Sequence, residues 1–137
     1  VKMQRNFRST AKPPDPKVDL LIFKKAREMI AYGNDCLYNK QFPRKYRVGN
    51  AIGAQIERAM YDILDGLTEA ATKEHKKTAL TQVDHKILYL RQLLITAVDP
   101  KMNTAAVLIP LDSQRKWCEM LEEMGKILGS WLKKLNS

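Results

Sequence analysis

The sequence predicts an all-α fold, an antiparallel up-down-up-down four-helix bundle, and three observations carry that expectation. In four separate stretches the apolar residues recur at alternating three- and four-residue spacings, which places each set along one line of an α-helix. Proline or a short polar turn bounds each stretch. No segment alternates apolar and polar residues with the period of two that a half-buried strand needs. Each helix has one apolar face and none is stable alone in water, so joined by mostly short connections they bury those faces against one another.

The first helix is expected from residue 16 to about residue 39. Asp15 and Pro16 make a start signal, a capping oxygen followed by a residue lacking the N–H that the first turn cannot use. Ile22, Ala26, Met29, Gly33 and Cys36 form its buried line, with Ile30 and Leu37 beside it. Phe42 and Pro43 end it in a turn over residues 40–45. The second helix is expected from Tyr46 or Arg47 to about Ala71, on Ile52, Ile56, Ala59, Ile63 and Leu67, flanked by Met60 and Leu64. Gly49, Gly53 and Gly66 make it thin, and each interior glycine costs about 1 kcal/mol of helix stability. Close packing must offset that cost, either inside the bundle or at a subunit contact.

A basic turn over residues 73–77 contains His75 and leads to the third helix. Its line is Leu80, Val83, Ile87, Leu90, Leu94 and Ala97, stopping at Asp99 and Pro100. The apolar part of the next connection, residues 105–111, is expected to lie over one end of the bundle. Asp112 or Ser113 caps the last helix, residues 113–135, whose seam is Trp117, Leu121, Met124, Leu128, Trp131 and Leu135. Met120, Ile127 and Leu132 widen that seam, and lysines and glutamates take the remaining arc.

At 137 residues the chain is the size of one domain, expected over residues 16–137. Residues 1–15, with Lys2, Arg5, Arg8 and Lys12 and then Pro13 and Pro14, are expected to form a flexible basic arm. Cys36 and Cys118 fall inside the helical patterns without CxxC spacing, as reduced buried thiols do. The first residues also lack the apolar run of a secretory leader, so a cytoplasmic protein is expected. No apolar run approaches the roughly 18 residues of a membrane span, and no membrane partner is expected. Charge is what departs from the average. With 24 Lys and Arg against 15 Asp and Glu the net charge is +9, which favours a polyanionic partner, RNA or DNA.

Catalytic patterns are missing. A di-iron bundle needs Glu-x-x-His on two helices, and no Glu here precedes a His at that spacing. His75 and His85 have no cysteine or second histidine at ligand spacing, so neither a metal nor another cofactor is expected. Asp62, Asp65 and Glu69 share one side of the second helix, but Arg58 stands four residues before Asp62 and a solvated, paired acidic stripe accounts for them. The Arg and His pair of HEPN ribonucleases is also absent. The chain is expected to bind rather than to catalyse.

The candidate binding residues are basic clusters at helix ends. Arg44, Lys45 and Arg47 gather at the start of the second helix, where free N–H groups and the helix dipole also attract phosphate, with Tyr46 among them. Arg115 and Lys116 open the last helix, and an antiparallel bundle brings both clusters and Lys101 to one end. Lys73, Lys76 and Lys77 lie at the opposite end, and Arg91 stands on the third helix.

The motif Gly125, Lys126, Ile127, Leu128, Gly129, Ser130, Trp131, Leu132, followed by basic residues and then Leu135 and Asn136, closely resembles the last helix of the accessory variability determinant (Avd) family of diversity-generating retroelements. Phe42, Pro43, Arg44 and Lys45 with Val48 resemble that family's entry into the second helix, and Leu90 with Arg91 has a counterpart in the third. The resemblance covers about residues 18–136. It implies a non-enzymatic homopentameric barrel that associates with a reverse transcriptase and with template RNA or cDNA in mutagenic retrohoming. It makes Arg44, Lys45 and Arg91 the first candidates for contact with RNA or polymerase. Trp117, Gly129, Ser130 and Trp131 are expected to hold the bundle or a subunit contact. The similar turn of the four-helix proteins encoded by ribosomal-RNA intervening sequences leaves an RNA-binding protein of that family as the alternative.

Overall fold

A computed structural model describes residues 16–40, 42–72, 76–103 and 107–135, with side chains from residue 21 onward. The expected basic arm and the turn residues Lys73 and His75 lie outside the described residues. Four α-helices span them: α1 (Pro16–Asn34), α2 (Arg47–Thr72), α3 (Lys76–Val98) and α4 (Leu111–Leu135). No strand occurs among the described residues. α1 packs on α2 and α4, and α3 packs on the other sides of the same two helices, so the four close a ring around one core.

The residues that line this core are those the spacing predicts. Every residue of the expected lines on α1 and α3 is buried, and so are Ile52, Ile56, Ala59, Ile63 and Leu67 of α2. Trp117, Leu121, Met124, Leu128 and Trp131 of α4 are buried, whereas Leu135, in the last turn of the helix, is 39% exposed. Lys25 to Glu123 at 2.8 Å ties the surface of α1 to α4, and Lys86 to Asp62 at 3.3 Å ties α3 to α2. Exposed pairs of this kind contribute about 0 to 1 kcal/mol each and fix register more than stability.

The helix ends differ from expectation. α1 finishes in a π-helical turn, Asp35–Asn39, whose wider winding sends both Cys36 and Leu37 into the core. α4 begins at Leu111, before either expected cap, because the Gln114 N–H donates to the Pro110 carbonyl at 3.1 Å. Asp112 then sits in the first turn, where a carboxylate opposes the positive end of the dipole. In the connection before it, Leu108 and Ile109 are buried as expected of a segment covering the bundle end, whereas Val107 is 73% exposed.

The glycines of α2 are explained within the chain. A Cβ at Gly49 would overlap the Pro43 carbonyl oxygen, and one at Gly66 would stand 2.6 Å from Val83 Cγ2. At Gly53 the neighbours are the Phe42 ring and the Arg44 guanidinium. All three lie where another segment crosses the helix backbone closely, and that packing offsets their cost in helix propensity.

Candidate nucleic-acid interface

The π-helical end of α1, the turn before α2 and the start of α4 meet at one end of the ring. Gly33 on α1 abuts both Met60 of α2 and Trp117 of α4, and Gly49 lies against Pro43 and the Leu108 side chain. The turn forms because the Tyr46 N–H donates to the Pro43 carbonyl at 3.3 Å, after which the Asn50 N–H donates to Tyr46 at 2.9 Å and the helix runs on. Arg44 and Lys45 are the central residues of that turn, which places them beside the first N–H groups of α2.

Cations and tyrosines alternate across this end. The Lys116 and Lys40 ammonium groups stand 5.1 and 5.4 Å from the centre of the Tyr32 ring. Arg44 lies 4.8 Å from the Tyr38 ring, and Lys45 5.3 Å from Tyr46. Trp117 meets Tyr32 edge-on at 6.1 Å and supports it from below. Burial pushes the Tyr32 hydroxyl above the usual tyrosine pKa, against a hydrogen bond with Ser113 that pulls it down, so the ring is neutral at physiological pH. Lys40 is shared with the Asp35 carboxylate at 3.6 Å.

Arg44 is engaged within the chain. Its Nη2 stands 3.6 Å from Glu57 Oε1, an ion-pair distance too long for a hydrogen bond, and both Nε and Nη2 are buried with no acceptor. The Tyr38 hydroxyl donates to the other oxygen of Glu57. Arg44, Tyr38 and Glu57 therefore form one closed cluster over Gly53.

A family model described as bAvd-like matches residues 20–135. The chain belongs to the bAvd-like family. No curated protein and no solved structure matches it.

In this bAvd-like chain the other candidates separate into two kinds. Lys45, Arg47, Arg115 and Lys116 are exposed at the end just described, and Lys77 is exposed at the opposite end. Lys76 is engaged as a cap: its ammonium donates to the Ala70 carbonyl at 3.0 Å and lies 3.4 Å from that of Ala71, closing the last turn of α2. Lys73 lies outside the described residues. Arg91, on α3, is half-buried beside the Cys118 thiol, two residues beyond Lys116 on α4. Trp117 and Trp131 are buried in the core. Gly129 and Ser130 are exposed, with open space where a Gly129 Cβ would stand, and Ser130 Oγ donates to the Lys126 carbonyl at 3.2 Å.

Lys40, Tyr32 and Tyr38 escape a reading of the sequence. Their signal is faint, a Tyr-x-Lys at the point where the first helix gives way to its turn. No helix among the described residues is long and apolar enough to cross a membrane.

Proposed function

We propose that this protein is a non-enzymatic accessory component of a diversity-generating retroelement. It binds the reverse transcriptase and the template RNA or cDNA through its basic end, and it supports mutagenic reverse transcription in the cytoplasm. The observation that carries the reading is membership of the bAvd-like family over residues 20–135. The exposed Lys45, Arg47, Arg115 and Lys116 beside two helix starts support it, since free N–H groups and cations there attract phosphate.

The working form in this reading is a homopentameric barrel of antiparallel up-down-up-down bundles, each comprising residues 16–137 with a flexible basic arm at residues 1–15. The pairs Lys25 with Glu123 and Gly33 with Trp117, in which one number falls as the other rises, support the antiparallel course. Leu88 and Ile95, seven residues apart on α3 and each about half exposed, support self-association through that helix.

The test is a tagged pull-down from the native cells with and without nuclease. Recovery of a reverse transcriptase that survives nuclease is the expected result. Recovery of RNA alone, with affinity falling steeply as salt rises, would overturn the polymerase partnership and favour an RNA-binding role like that of the ribosomal-RNA intervening-sequence proteins.

A further inference from the structure

Tyr38 is 54% exposed, yet its ring is held in place. Its hydroxyl donates to Glu57, and the Arg44 guanidinium lies over its ring at 4.8 Å. Arg44 in turn faces Glu57 and lies against the bare backbone of Gly53. An exposed aromatic ring that has already lost its rotamer freedom loses little more when a flat ligand settles on it.

We propose that Tyr38 is a stacking platform for an unpaired base, positioned by Arg44 and Glu57, so that the nucleic acid taken at this end is single-stranded. The inference rests on the nucleic-acid reading above and narrows its substrate class. Every base offers a π-face to such a ring, whereas the bases of a duplex already cover one another. A guanidinium on one side of the ring strengthens the whole stack. Lys40, two residues beyond Tyr38, and Lys45, next to Arg44, are both exposed and supply cations for the flanking phosphates of a strand. The Glu57 carboxylate faces Arg44 and accepts from Tyr38, so its charge is largely offset where the strand approaches. The basic surroundings favour nucleic acid over a protein surface as the occupant.

The experiment is fluorescence anisotropy on the full chain with a labelled RNA of about 12 nucleotides, single-stranded and as a duplex, across a salt series. Tyr38→Leu is expected to weaken single-strand binding on the order of 10-fold. Duplex affinity is expected to stay within about 2-fold, and the salt slope to stay the same, because no phosphate contact is lost. Tyr38→Phe, which keeps the ring and loses its hydroxyl bond, is expected to retain most of the affinity. Unchanged single-strand binding in Tyr38→Leu overturns the platform and leaves the ring to a protein contact, and equal losses on both RNAs overturn it as well. Wild-type protein that binds neither RNA nor a single-stranded DNA of the same sequence overturns the nucleic-acid reading itself, so the two failures are distinct.

Discussion

Gly49 lies directly against the carbonyl of Pro43, with no room between them for a Cβ. The clash is with backbone, which has no rotamer to escape into. Gly49→Ala gains about 1 kcal/mol of helix propensity and loses more through overpacking, so a net destabilisation of roughly 2 kcal/mol is expected. Gly129 is the contrast, since nothing stands within 4 Å of its Cβ position. Gly129→Ala is expected to stabilise the isolated chain by up to about 1 kcal/mol. Urea unfolding of the two variants side by side checks both signs.

Arg44 and Lys45 are adjacent in sequence, but the first is packed against Glu57 and the second is exposed. Arg44→Ala removes a packed guanidinium and its pairing with Glu57, and is expected to cost about 1 kcal/mol of stability. Lys45→Ala is expected to leave stability within about 0.5 kcal/mol while weakening RNA binding and lowering its salt slope by about one unit. Thermal melts and a salt titration of the two variants separate these effects, and equal loss of stability in both would contradict the assignment.

The hydrogen bond from Tyr38 to Glu57 holds the phenol above the ordinary tyrosine range, because only the neutral hydroxyl can donate. The folded-state pKa is thus higher than the unfolded one. The contribution is fully present below about pH 10 and is lost as pH rises through the folded pKa. Absorbance titration near the phenolate band, with Tyr38→Phe as the subtraction, is expected to place this ionisation late. Glu57→Gln is expected to bring it earlier, and an unshifted curve would count against the bond.

Burial pushes both thiols up, that of Cys36 against the pull of the Tyr32 hydroxyl and nearby Lys40, that of Cys118 against Arg91. A thiol held protonated reacts slowly. Modification of the native protein by a disulfide reagent at neutral pH is expected to lag well behind that of a free cysteine, and to become fast only on unfolding. Arg91→Ala is expected to slow Cys118 further, since the charge that favours its thiolate is gone.

The fold was largely legible because helical periodicity depends on side-chain burial along one line, and Ile22 to Cys36 or Leu80 to Ala97 satisfy that line without exception. The ends were less so. The π-helical turn at Asp35–Asn39 and the early start of α4 at Leu111 are decided by a few backbone hydrogen bonds, which spacing does not encode. Basic residues at the helix ends were visible as charge, but charge alone does not distinguish the exposed Lys45 from Arg44, which turns inward to Glu57, or from Lys76 at the opposite end, which caps α2. Tyr38 went unnoticed because its partner Glu57 lies on the next helix.

Both tryptophans sit on α4, Trp117 beside Tyr32 and Trp131 toward the other end, about 21 Å away along the axis at 1.5 Å per residue. The indole N–H of Trp117 is buried without an acceptor. The chain therefore carries an intrinsic optical probe at each of its poles, the first fully buried among core side chains, so that its emission shifts when the core opens to water. With phenylalanine in place of either one, the fraying of one pole is seen without interference from the other.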